Sequence, residues 1–485
     1  MLKNIKTLVT SRIYETVFLV FAFILISILL FWFQTDGPIG KVESPIRVVL
    51  GGFFIFLLPG LTWAEVLGFR SHHFLKTIAI SFSITIALGL IALATAVILG
   101  TGIWFWNASL LSLCTIGLFL LLKKFIDGYS FRFIKPFFLL FNGHNSLGIS
   151  QIVIFFTLIF ISVSTYHWGE SLRDIGGEKL LHFTFIRYYF SLPLSLENLG
   201  LKKGSIPPNL IHLWEFLLAA WANLVHLDPL VVVFRARFVI PILGFSGMYL
   251  LVESIFPNRR KAELIFWIIL LMCLGWIITL PPSSLDWIRG DPLRGVMSFM
   301  GTVHHSDSAQ DILLPIMMAL LIYAIRIFRL RWVVLCLAMI TASFLWHPRE
   351  FFQVAVYWGT LGISLLVFWK RDRKKLSLRW ASLFGIFLAV AAGALLMTKL
   401  SEPQTSHAYN EMLIKKTVLE YSVHPESIVG IRNLFNFPLH NTITSSANPG
   451  YVAEMSEASM KMGEKWQYFP WLILSAFGAI LLLLL

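Results

Sequence analysis

Tyr166-His-Trp-Gly-Glu170-Ser-Leu-Arg-Asp174-Ile-Gly-Gly-Glu178-Lys-Leu-Leu-His182-Phe-Thr-Phe-Ile-Arg187 is where the chain changes character. An apolar run of membrane-crossing length, 150–168, leads into it. Three carboxylates, Glu170, Asp174 and Glu178, then crowd a short polar segment with His167 and His182. Gly176-Gly177 breaks the backbone, and a helix is expected to start near Glu178. On that helix Glu178 and His182 share a face, being four residues apart. The apolar residues Leu180, Leu181, Phe183, Phe185 and Ile186 would lie flat on a bilayer.

The rest of the chain is far more apolar. Of its 485 residues 57% are hydrophobic and 13% charged, and the mean hydropathy is +0.77. A soluble domain carries about 25% charged residues, so the composition predicts an all-α polytopic membrane protein. Apolar windows of spanning length fall near 14–33, 47–67, 75–100, 104–122, 150–168, 231–255, 262–281, 310–327, 332–346, 351–369, 379–398 and 469–485, about 12 transmembrane helices. The net charge of +13 is read as cytoplasmic flanks of spans. No soluble basic domain is left over to hold a nucleic acid. Cys114, Cys273 and Cys336 all fall inside spans and read as core residues, with no disulfide or metal spacing. The first apolar run lacks a cleavage site and is expected to remain an anchor. The closing run Leu481 to Leu485 lacks basic anchors, and the chain is expected to continue or to end unusually.

Charge fixes a topology. Basic clusters occur at Lys3/Lys6/Arg12, Arg70/Lys76, Lys123 to Lys135, Arg259 to Lys261, Arg326 to Arg331 and Lys370 to Arg379. If all face the cytoplasm, an even number of crossings separates neighbouring clusters. The apolar run 208–226 then cannot cross. It opens on Pro207-Pro208 and carries His212, Glu215 and Asn223, so it is expected to lie on the outer leaflet as an interfacial helix. The N-terminus is cytoplasmic on this scheme, and 169–230 faces outward. Residues 1–123 are expected to form a separate four-helix unit, 124–149 a linker, 150–398 a core, and 399–485 an outer loop with a last span.

Other outer segments add chemistry. Thr302-Val-His304-His305-Ser-Asp307 holds ligand-type residues, and leaves a divalent metal open beside a plain polar loop. His347-Pro-Arg349-Glu350 is a short turn able to bind phosphate or orient an acid, or simply a solvated hairpin. Arg235 and Arg237 open a span, where they would either snorkel or hold a lipid phosphate. Glu178 is either a helix cap or a base. No P-loop, GxSxG, HExxH or CxxC motif occurs.

The order of pieces resembles the integral-membrane glycosyltransferases of the GT-C fold. The matching pieces are the acids Glu170, Asp174 and Glu178 after a span, the run Glu178 to Arg187, the stretch Ile206-Pro-Pro through Asp228-Pro229, and Phe234-Arg-Ala-Arg237 opening the next span. The resemblance covers roughly 150–398 and is one of order and topology. It implies a GT-C-like fold with a polyprenyl-phosphate sugar as donor and a lipid, glycan or protein as acceptor. It implies a catalytic acid among Asp174, Glu178 and Glu170, with His182 beside it. Substrate or phosphate contacts would come from Arg187, Arg235, Arg237, His304, His305, Asp307, His347, Arg349 and Glu350. The first four spans, with Leu57-Leu-Pro-Gly60, resemble an extra membrane domain of prokaryotic proteins, which implies the inner membrane. A transporter, or a non-catalytic subunit of an export system, is the alternative.

Overall fold

A computed structural model of the chain describes residues 2–33, 45–136, 146–168, 186, 189–190, 212–227, 229–279, 312–346, 378–385, 387–389 and 392. Every regular element among them is helical: α1 (Leu2–Phe33), α2 (Pro45–Phe56), α3 (Leu58–Val66), α4 (Phe74–Leu99), α5 (Ile103–Ile126), α6 (Ser146–Trp168), α7 (Leu213–Val225), α8 (Pro229–Ile255), α9 (Arg259–Thr279), α10 (Leu314–Ile327) and α11 (Leu330–Trp346). Four described helical stretches are long and apolar enough to cross a membrane: Arg47–Val66, Phe74–Leu99, Ile103–Ile126 and Phe238–Ile255. The expected spans 351–369 and 469–485 lie outside the described residues.

Local chemistry sets the boundaries. Pro59 has no N–H, so the α2–α3 helix breaks at Leu57. The Gly60 N–H is taken up by Thr85 Oγ1 on α4 at 2.9 Å. His73 caps α4, its Nδ1 accepting from the Leu75 N–H at 3.2 Å. Gly100, at φ 63, closes α4 in the left-handed region where glycine is not strained.

One apolar core runs through the described helices, from Phe18 on α1 to Trp346 on α11. α4 packs on α3, α5, α8 and α11, and α8 packs on α4, α6, α7, α9 and α10. The first five helices share this core with the later ones.

α7 is where the structure corrects the sequence reading. It does not lie flat with one face in lipid. Twelve of its 13 residues are buried, against α1, α2, α5, α8 and α11. An interfacial helix needs a polar face, and α7 has spent its own. The Asn223 Oδ1 accepts from Asn107 Nδ2 at 3.0 Å, which also donates to the Ala220 carbonyl. The Trp221 indole N–H donates to the Val48 carbonyl at 3.1 Å. Phe56 meets both Trp214 and Trp221, and Trp214 stacks on Trp346 at 5.0 Å. A helix apolar all round is a buried helix. At about 1.5 Å per residue α7 reaches about 20 Å, short of the ~30 Å hydrocarbon thickness, so its length suits a buried, non-crossing element.

Glycines let α3 approach α4, and α7 approach α2. A Cβ on Gly60 would sit 1.7 Å from the Ser81 carbonyl oxygen, and one on Gly51 would sit 2.3 Å from Val225 Cγ1. A Cβ on Gly385 would meet nothing within 4 Å. Gly60→Ala should therefore lower unfolding stability by about 1–3 kcal/mol or more, since the obstacle is backbone. Gly385→Ala should stay within about 0.5 kcal/mol of the parent. Thermal unfolding of the two purified variants in one detergent checks both; equal behaviour would refute the close approach.

Candidate functional site

The charged residues that the helices bring together lie at one end of the bundle. Lys76, in the first turn of α4, places its ammonium 2.8 Å from Glu253 Oε1 in the last turn of α8, and both side chains are buried. The ammonium also reaches Tyr323 Oη on α10 at 3.3 Å. His72 Nε2 lies 3.6 Å from the same Glu253 oxygen. His73 is fully buried and stacks on Tyr249 of α8 at 3.9 Å. Arg259 and Gln151 both donate to the His72 carbonyl, tying α9 and α6 to this corner.

The same end gathers the ends of other helices, and cations satisfy their carbonyls. Lys124 donates to the Val66 carbonyl at 2.8 Å, and Arg331 to those of Leu67 and Gly68, at the end of α3. Arg326 donates to Ser254 at the end of α8, and Arg379 to Ile325 and Arg326 at the end of α10. Cations so placed also offset the negative end of the helix dipole. Glu65 holds the turn after α5, accepting from the N–H groups of Arg132, Phe133 and Ile134 at 2.9, 2.8 and 3.2 Å. Glu15 on α1 accepts from Phe131. Tyr129 also reaches Glu65, and its phenol is held above the usual range by burial first and by that carboxylate second. This ring of basic loops is the rim of the bundle.

The rim fixes every neighbouring helix direction. α6, α9 and α11 begin at it, and α8 and α10 end at it. Trp168, Thr279, Ile312 and Trp346 therefore point away from it, as does the start of α8. Trp168 and Pro229 both lie away from the rim. Arg235 and Arg237 occupy the early turns of α8, about 24–27 Å along the helix from Glu253. Their side chains lie outside the described residues, as do Glu170, Asp174, Glu178, His182, Arg187, His304, His305, Asp307, His347, Arg349 and Glu350. What the structure does place are the helix ends from which these segments depart, and all point away from the rim.

The described parts of α10 and α11 run from the rim over 14 and 17 residues, and α11 is described as far as Trp346. Trp346 is fully buried there, against Trp214 of α7 and Phe82 of α4. Glu215 is buried in the first turn of α7, where the helix dipole favours an anion. An open groove of about 420 Å³ between the far halves of α4 and α5 is lined by Ile91, Ala92, Thr95, Phe105, Ala108 and Ser109, among others.

The sequence reading missed the Lys76–Glu253 corner. Lys76 stood there as one more flanking base. The available signal was the pairing of two charges set just inside apolar runs, in His72-His73-Phe-Leu-Lys76 and Tyr249-Leu-Leu-Val-Glu253. Among the described residues no group of three His, Cys, Asp or Glu could hold a metal. Cys114 and Cys336 are buried and unpaired. Comparison of the chain with known protein families, curated proteins and solved structures finds no match.

Removing one member of a buried ion pair strands the other charge, at about 3–5 kcal/mol. Glu253→Gln and Lys76→Met should each destabilise by about that much, and the double variant should recover much of the loss. Chemical denaturation of all four proteins checks the cycle; additive losses would show that the pair is not coupled.

His73 titrates well below its ordinary value of 6.5, first because it is buried and then because of His72, Arg259 and Lys76. His72 is also lowered, with burial outweighing the pull of Glu253. The unfolded chain binds these protons near pH 6.5 and the native protein does not. Stability is therefore full above that pH and falls as the pH drops below it, by about 1.4 kcal/mol per unit for the buried His73 and by less for His72, which solvent screens. His73→Asn keeps a capping acceptor for Leu75 and should flatten the slope of thermal stability between pH 6.5 and 5. An unchanged slope would remove His73 from the effect.

Proposed function

We propose that this chain is a membrane glycosyltransferase of the GT-C type, taking a sugar from a polyprenyl-phosphate donor and passing it to a lipid, glycan or protein acceptor. One observation carries the reading. The described ends of α6, α8, α10 and α11, from which the acidic, histidine and arginine segments depart, all point away from the basic rim. A lipid-borne donor is confined to one membrane face, so an enzyme acting on it needs its base and its phosphate-binding cations on that same face. The apolar groove between α4 and α5 suits a polyprenyl tail.

The chemistry follows from the groups in those segments. A carboxylate among Asp174, Glu178 and Glu170 takes the proton of the acceptor hydroxyl as its oxygen attacks the anomeric carbon. The bond from that carbon to the phosphate oxygen breaks, and the phosphate departs with the electron pair. Arg235, Arg237 and Arg349 are the cations available to hold it. On this reading about 12 spans cross the inner membrane of a prokaryotic cell. The rim faces the cytoplasm, with the N-terminal end of α1 beside it, and the acidic segment faces outward.

A transporter reading would lean on the buried Lys76–Glu253 pair. That pair sits at the terminal turns of α4 and α8, at the rim, whereas charges that couple transport are expected near the bilayer midplane. It is better read as a structural pin.

Asp174→Asn, Glu178→Gln and Glu170→Gln should separate the base from its neighbours. The substitution at the base should slow transfer from polyprenyl-phosphate sugars by about 10²–10⁴-fold, with the other two milder. Transfer assays on the purified full-length chain check this. Near-parental turnover in all three variants would dismiss the carboxylate base. A parent protein that transfers no sugar from any such donor would dismiss the transferase.

A further inference from the structure

Arg259, Arg326, Arg331 and Arg379 donate to carbonyls at the rim, but one group of rim arginines is left with donors to spare. Arg331 lies over the Phe69 ring, 4.9 Å from its centroid, with one terminal nitrogen on the Leu67 and Gly68 carbonyls at 3.0 and 2.6 Å. Its Nε is buried and has no hydrogen-bond partner. Arg70 follows Phe69 directly, and Arg329 stands two residues before Arg331. Both are exposed, and both act on Arg331 through space as like charges. The ion pairs among the described residues are those of Glu253 with His72 and Lys76. Glu65, the acid of the adjoining loop, is already committed to three backbone N–H groups. Three guanidinium groups are therefore gathered around one loop, and among the described residues no carboxylate pairs with them. Like charges repel, and a guanidinium carries five N–H donors, so the arrangement is completed by an anion with several acceptor oxygens.

What surrounds the cluster says which anion. Leu67, Ile327, Phe328 and Leu330 are 46%, 40%, 43% and 79% exposed beside it. A free inorganic ion gains nothing from an apolar border. A ligand with a phosphate and acyl chains satisfies both halves at once. We infer that Arg70, Arg329 and Arg331 form a binding site for the phosphate head group of an anionic phospholipid, with Leu67, Phe328 and Leu330 bordering its chains. The site is at the opposite end of the bundle from the acidic segment and stands independently of the transferase reading. Its occupation would tie the α3–α4 loop to the α10–α11 turn, since the bridging groups come from both.

Native mass spectrometry of the full-length chain tests this, with phosphatidylglycerol and phosphatidylcholine of matched chains as probes. The parent should retain phosphatidylglycerol in preference to phosphatidylcholine. Arg70→Gln/Arg329→Gln removes two exposed cations that make no bond in the fold, and should weaken phosphatidylglycerol binding by about tenfold or more. Arg260→Gln/Lys261→Gln removes the same charge from another part of the rim and should leave binding within about twofold. Millimolar inorganic phosphate should not displace the lipid. Undiminished binding by the Arg70/Arg329 variant would overturn the site. Equal loss in both variants would reduce it to net charge, and displacement by inorganic phosphate would make it a site for a free anion.

Discussion

A helix that ends at a membrane boundary leaves carbonyl oxygens without partners, and here cationic side chains supply the bonds at one end of the bundle. Lys124, Arg331, Arg326 and Arg379 do this for α3, α8 and α10. The requirement is strict because an unpaired carbonyl costs most where water is scarce. Satisfying it ties the loops after α3, α5, α8 and α10 into one rim. Once those ends are tied, each helix can run only away from them. The polarity of the bundle, and the face from which its acidic segments depart, rest on that one set of bonds.

The buried Lys76–Glu253 pair belongs to the same logic with a different balance. Two charges taken out of water cost several kcal/mol each, and their attraction offsets this only when the geometry is good and other polar atoms assist. Tyr323 and His72 assist here. The pair joins α4, α8 and α10 at one point. Its value is in specifying register among three helices whose remaining contacts are aliphatic and aromatic. Such contacts tolerate sliding, whereas a 2.8 Å ion pair does not.

At the far end the organising element is α7. Trp221 fills the space that Gly51 and Gly52 leave open on α2, and Trp214 meets Trp346 at the end of α11. The chain thus enters α8 from a helix buried at 12 of its 13 residues. A site assembled on this end would have an aromatic floor that excludes water. Low dielectric strengthens the pull of an arginine on a departing phosphate, which is the setting the proposed chemistry asks for.

Much of this was legible in the residues. Apolar runs of about 20 residues marked the helices α4, α5, α8 and α9 to within a few positions, and α1 and α6 with starts 12 and 4 residues too late, because a continuous apolar run of that length favours a long helix. Charge parity grouped the basic loops, and the described ones after α3, α5, α8 and α10 do meet at one end of the bundle. The candidate acids and cations could be named from Glu170, Asp174, Glu178, Arg235 and Arg237, although the description reaches only the helix ends beside them. Tertiary structure decided the rest. Residues 213–225 read the same whether covered by lipid or by protein, because both surroundings are apolar, and only the neighbouring helices show that protein covers them. Lys76 and Glu253 lie 177 positions apart, and no local pattern announces that two flanking charges will meet. Nothing in the residues around Gly60 announces its role, which is to let α3 reach the backbone of α4. Sequence sets what each segment can be on its own, while packing decides which partner satisfies it.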